Sequence, residues 1–186
     1  PLRYNISNEV CEMQQLNPTE IRAAIAALSH NEIVILPTDT IYGISAIVSE
    51  DNARRINTIK KSALDKPLII LISNLEQASQ FVTVDEVFTK NIQTTDPITV
   101  ISKKVGADTT YALRLVSRPD LQQIIEAVGP IYSTSVNVAG NPNLSRKEEL
   151  LHFSDAIFQV FFTENLIGKP SKILNLSDFS KKRWHL

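Results

Sequence analysis

The sequence predicts an α/β domain in which a twisted mixed sheet carries helices on its faces. Two observations predict it. Short apolar runs of strand length recur at EIVIL (32–36), PLIILIS (67–73), ITVIS (98–102), YALRLV (111–116) and PIYSTSV (130–136). Segments with helical periodicity and capping residues separate these runs, so strands and helices alternate along the chain.

Taken in order, NPTEIRAAIAALSHN (17–31) opens on Pro-Thr with a glutamate close behind, and sets Ile21, Ala24, Ile25 and Leu28 on one helical face. EIVIL is the kind of run used by strands covered on both faces. It gives way to LPTDTIYG (36–43), whose small polar groups are poor material for continuing a strand. SEDNARRINTIKK (49–61) predicts a second helix, acidic early and basic late, in keeping with the helix dipole. PLIILIS is the next strand, followed by helical tracts at NLEQASQFV and VDEVFTKNI. After ITVIS and YALRLV, Pro119-Asp120 opens a helix through PDLQQIIEAVG, and PIYSTSV returns as a strand. A helix at RKEELLHFS and short strands at AIFQVFF and SKILNL complete the chain. No repeat, low-complexity tract or linker interrupts residues 1–186, which predicts one domain.

Composition narrows the function classes. A 186-residue chain that is 43% hydrophobic and 21% charged can bury a sizeable core. A formal charge of -1 argues against coating nucleic acid by bulk electrostatics, although local basic clusters remain open. Cys11 is the single cysteine, so an intrachain disulfide is excluded, and His30, His152 and His185 lack zinc-site spacing. No apolar run has membrane-spanning length. The expectation is a soluble, cytoplasmic protein without a metal site.

Three polar stretches sit at strand ends, where α/β folds bind ligands. They are PTDTIYG, KKSALDKPL (60–68) with three lysines, and STSVNVAGNPN (133–143) with hydroxyls and amides but no acid. Each has a plain alternative: turn chemistry, complementation of a helix C-terminus, and an ordinary polar loop. Together they are suited to phosphate and carboxylate oxygens. Neither a G-x-x-x-x-G-K-[ST] loop nor a G-x-G-x-x-G fingerprint is present. Arg114 lies in an otherwise apolar strand, so its charge is either paired in the interior or faces a cavity.

With these stretches in view, the chain resembles the TsaC/YrdC family of threonylcarbamoyl-AMP synthases. The resemblance rests on LPTDTIYGI, IKKSALDKPLIIL, DPITVI, TYALRLVSRP, STSVNVAGNP and PSKILNL, in family order, and extends from about Glu32 to Arg183. It implies a YrdC-like sheet around a large, positively lined cavity. It further implies a nucleotidyltransferase that makes L-threonylcarbamoyladenylate and pyrophosphate from L-threonine, bicarbonate or CO2, and ATP. Mg2+ would accompany ATP, held mainly by the phosphates. The product would pass to a downstream transferase that modifies tRNA adenosine next to the anticodon, with weak tRNA or RNA contact open.

Position by position, the resemblance assigns Thr40 to the substrate threonine, with Thr38 and Tyr42 shaping the pocket and Ser133 and Ser171 beside it. Arg114 would clamp the threonine carboxylate. Lys60 and Lys66 would face the phosphates and the bicarbonate-derived carboxylate, and these two with Arg114 form the catalytic set. Thr110, Ser135 and Asn143 would lie on the nucleotide side, with Asn137 fixing the same loop and Arg183 near ATP. Ser62 occupies the place of the family's arginine in Lys-x-Arg-Pro, so one phosphate-directed cation is replaced. An RNA-binding or ribosome-assembly role for the same basic surface is the competing reading, weakened by an aromatic content of 6%. A carbamoyl-transfer domain of hydrogenase maturation is a third, and normally sits within a much larger chain.

Overall fold

The computed structural model describes residues 14–164, 166 and 168–177. Helix α1 (Pro18–Ser29) begins with a capping box: the Asn17 side chain accepts from the Thr19 and Glu20 N–H groups, and Glu20 accepts from the Asn17 N–H. Ser49 caps α2 (Glu50–Ile59), and Asp85 caps the short α4 (Glu86–Ile92). Pro119, at the first position of α5 (Pro119–Val128), supplies a preset φ where no N–H is needed. α3 (Leu75–Ala78) and α6 (Lys147–Leu151) are single turns, shorter than the helical tracts expected there.

Among the described residues, eight strands form one sheet: β1 (Val34–Pro37), β2 (Tyr42–Ile47), β3 (Ile69–Ile72), β4 (Ile98–Lys103), β5 (Thr110–Leu115), β6 (Ile131–Ser135), β7 (Gln159–Val160) and β8 (Lys172–Asn175). Their spatial order is β7-β1-β2-β6-β3-β5-β4-β8, with β1/β7, β3/β5 and β4/β8 parallel and the other pairs antiparallel. The sequence does not announce β2. Gly43, Ser45 and Ala46 interrupt its apolar character, yet the strand is buried almost throughout. The reason is local crowding. A Cβ on Gly43 would lie 2.1 Å from Ser133 Oγ and 3.3 Å from Thr38 Cγ2, so β2 needs a residue without a side chain there.

Directly paired residues share a face of the sheet. On one face α2 buries Ile56 against Ile35, Ile44 and Ala46, while α3 and α4 set Ala78, Phe88 and Ile92 against Ile70, Ile72, Val100 and Leu113. On the other face α1 and α5 cover Val34, Leu36, Leu71 and Ile131, with Ile47 and Ile69 packed at the margin. The remainder of that second face is open. The register lines up Ser45, Ser133, Ile69, Ala112 and Ile101 in one row across it, with Arg114 and Thr99 in the next. A face half covered by helices leaves polar side chains of central strands exposed to a cavity rather than to a core.

Candidate active site

A cavity of about 330 Å³ occupies the open part of this face. The β1–β2 turn contributes Thr38, Thr40 and Tyr42, and Gly43 follows on β2. β6 and its loop contribute Ser133, Ser135, Asn137 and Asn143, β5 contributes Arg114, and Ser171 enters just before β8. Nine of the residues singled out in the sequence therefore converge from four separate segments. Among the described residues, Arg114 is the one charged residue in the cavity wall.

The environment of Arg114 defines the site. The side chain is almost wholly buried, and each of its three nitrogens donates to one hydroxyl: Nε to Thr99 (3.2 Å), Nη1 to Thr40 (3.1 Å) and Nη2 to Ser171 (2.8 Å). Thr99 and Ser171 also bond to each other at 2.7 Å. Three of the five N–H donors are thus used, and one remains on each Nη. No carboxylate bonds to the guanidinium among the described residues. Burial lowers the Arg114 pKa, and the Asp39 charge opposes that effect. Asp39 spends one oxygen on the Ser117 N–H and hydroxyl and on the Arg118 N–H, holding the β5–α5 corner against the β1–β2 turn.

Tyr42 lies with its ring stacked on Phe162 (centroids 5.5 Å apart) and donates its hydroxyl to the Thr163 carbonyl. Burial raises its pKa. The tyrosine is thereby fixed as wall, keeping its phenol neutral. Ser133 Oγ leans over Gly43.

The lysine segment is arranged differently from the cation-lined cavity that the resemblance implies. Lys60 is buried behind the wall, and its ammonium donates to Asn137 Oδ1 (2.7 Å), to the Asn137 carbonyl (3.1 Å) and to the Ser135 carbonyl. Lys66 and Thr110 line a second cavity, of about 600 Å³, whose floor is Leu68, Ile70 and Tyr132. By register, Ile70 and Tyr132 belong to the opposite face of the sheet, whereas Thr110 and Ala112, which also line this cavity, lie on the Arg114 face. The second cavity thus sits at the ends of β3 and β5 rather than under one face. Ser62 keeps its hydroxyl buried and without a partner, and Lys61 turns the chain out of α2 in the left-handed region (φ 52°). Asn57 braces this loop, donating to the Leu64 and Lys66 carbonyls. Arg183 lies outside the described residues.

Thr99 and Asn57 were not singled out in the sequence. A threonine in an apolar strand and an asparagine within an amphipathic helix carry no local signal, because their partners are distant in the chain.

Fold and site together define an open α/β sheet with a small polar cavity walled in part by a buried arginine. The family model described as Telomere recombination, which groups Sua5, YciO and YrdC proteins, matches residues 26–185, and the chain belongs to this family. The threonylcarbamoyl-AMP synthase of Enterobacter sp. (strain 638) is 26% identical over 175 residues, covering 85% of this chain and 88% of that protein. The crystal structure of P. abyssi Sua5 complexed with L-threonine superposes with a TM-score of 0.74 at 26% identity, covering 88% of this chain and 52% of that one. This chain thus spans about half of the P. abyssi protein. E. coli YciO shares the fold, with a TM-score of 0.75 at 23% identity over 89% of this chain and 88% of its own.

Proposed function

We propose that the protein is a threonylcarbamoyl-AMP synthase. Arg114 carries this reading. A buried guanidinium held by three hydroxyls, with one N–H left on each Nη, offers a two-pronged donor that matches the carboxylate of an amino acid. The names of the relatives and the threonine complex of P. abyssi Sua5 indicate which amino acid. In this reading the carboxylate of L-threonine pairs with Arg114, and the Thr40 and Ser133 hydroxyls flank its side chain and amine.

The threonine amine would take up carbon dioxide derived from bicarbonate. The new carboxylate oxygen would then attack the α-phosphate of ATP, with pyrophosphate leaving. Such a reaction calls for positioning and charge compensation more than for proton transfer. That suits a site of hydroxyls, amides and one guanidinium. In this reading the Ser135–Asn143 loop supplies the nucleotide side, and Lys66, Thr110 and Arg183 are the residues that the family resemblance gives to the nucleotide and its phosphates. Among the described residues no three His, Cys, Asp or Glu side chains come together to hold a metal ion. Mg2+ would enter as the ATP complex. The threonylcarbamoyl-adenylate product would serve a transferase acting on tRNA adenosine.

The test is pyrophosphate release from ATP. It should require both L-threonine and bicarbonate, and labelled bicarbonate should appear in an adenylate. Release independent of threonine, or no release together with salt-sensitive RNA binding, would overturn the assignment.

A further inference from the structure

Lys60 has an arrangement that the reading above does not use. Its ammonium can donate three hydrogen bonds. The Ser135 carbonyl, the Asn137 carbonyl and Asn137 Oδ1 take all three, with Ser135 Oγ a further 3.4 Å contact. The Lys60 backbone carbonyl accepts from the Ala139 N–H at 2.9 Å. One residue thus grips the loop after β6 at both ends. Within the loop, Ser135 Oγ donates to Asn137 Oδ1 (2.6 Å) and Asn137 Nδ2 donates to the Asn141 carbonyl (2.6 Å). Lys60 is 3% exposed and is absent from the cavity wall, whereas Ser135, Asn137 and Asn143 line it.

We propose that Lys60 is a positioning residue: its ammonium clamps the 135–143 loop into the shape that receives the nucleotide and makes no contact with phosphate. A phosphate oxygen could reach this ammonium only by displacing one of three protein acceptors. Burial, with the Lys66 charge as the second contribution, lowers the Lys60 pKa to about 8. The loop packed against the ammonium brings only Ser, Asn, Val, Ala, Gly and Pro, so no acidic group faces it from that side.

The loop part of this inference stands by itself, and the ligand part rests on the proposed function. The experiment compares the full chain with its Lys60→Met variant. In the ligand-free proteins, hydrogen exchange at residues 137–144 should be about tenfold faster in the variant, the order expected for losing a charge-assisted bond, with β1 and β3 unchanged. Equal exchange overturns the clamp. Affinities for adenosine, AMP and ATP should then fall by one common factor. A loss that grows with the number of phosphates would show direct phosphate contact and overturn the proposal. Should Lys60→Met not fold, Asn137→Ala still decides, because it removes one acceptor of the ammonium. Exchange over the same residues should then rise while β3 stays unchanged, and equal exchange overturns the clamp. If none of the three nucleotides binds even the wild type, the proposed function fails while the exchange result still judges the clamp.

Discussion

Arg114 and Arg118 stand four residues apart, both are buried, and they are opposite in kind. Arg118 makes a two-pronged ion pair with Asp120, Nε to Oδ1 at 2.8 Å and Nη2 to Oδ2 at 2.9 Å, with both side chains 1% exposed. Asp120 also accepts from the Leu16 N–H, and Arg118 donates to the Gln14 carbonyl, so the pair fastens the segment before α1 to the start of α5. Arg114 has hydroxyls where Arg118 has a carboxylate. The difference teaches how to separate a structural arginine from a ligand arginine. Arg118 leaves its Nη1 without a partner among the described residues, so spare donors alone do not mark a receptor. The contrast is that a carboxylate neutralises Arg118 inside the fold, whereas only hydroxyls bond to Arg114, at the wall of a cavity.

The largest expected effect tests the architectural half. Asp120→Asn leaves the Arg118 charge buried and uncompensated, and should cost about 3–5 kcal/mol in urea unfolding. A loss below about 1 kcal/mol would place the pair among surface-like pairs and dissolve the contrast. Arg114→Met should do the reverse. Folding stability should change little, because no carboxylate among the described residues bonds to the guanidinium and Thr99 and Ser171 keep their mutual bond, while the buried Asp39 loses a nearby opposite charge. L-threonine affinity, measured by calorimetry, should fall about 10²-fold or more for the lost carboxylate pair. Unchanged affinity would end the receptor reading.

Gly43→Ala should sharpen the picture at intermediate size. The new methyl must push the Ser133 hydroxyl away, so threonine affinity should drop about tenfold, with a stability cost of about 1–3 kcal/mol for overpacking. Thr99→Val is smaller: it strips one hydroxyl from the Nε of Arg114, and should raise the threonine requirement about fivefold with kcat nearly unchanged. A fall in kcat alone would mean that Thr99 acts otherwise.

The smallest effect is in pH dependence. The folded Lys60 pKa of about 8 lies below the ordinary 10.5, so the unfolded chain binds more protons between those values. Its contribution to stability therefore rises with pH across that window and is flat below pH 8. The urea midpoint should show this rise in the wild type, and Lys60→Met should lack it. Identical profiles would mean that the Lys60 environment is misread.

Much of this molecule was legible as sequence. β1, β3, β4, β5 and β6 appear as apolar runs because central strands must be apolar wherever helices cover them. α1, α2 and α5 appear through caps and periodicity, both local properties. β2 did not appear, because its glycine, serine and alanine answer to the neighbouring β6 rather than to any rule along the chain. AIFQVFF contracts to Gln159–Val160, and NLEQASQFV to Leu75–Ala78, although Phe161 and Val82 beyond them are still buried against the sheet.

The site divides along the same line. By itself the sequence determined the residue types: the hydroxyl-rich turn, the lone strand arginine, the Ser-Asn loop and the family motifs that order them. Only the tertiary structure decided where each charge points. It set Arg114 beside hydroxyls and Arg118 beside Asp120, turned the Lys60 ammonium inward onto the loop, and separated Lys66 and Thr110 from the first cavity. The physical reason is that burial and partnership arise between segments as distant as Thr40, Thr99 and Ser171, and no local pattern encodes which hydroxyl or carboxylate a charge will meet.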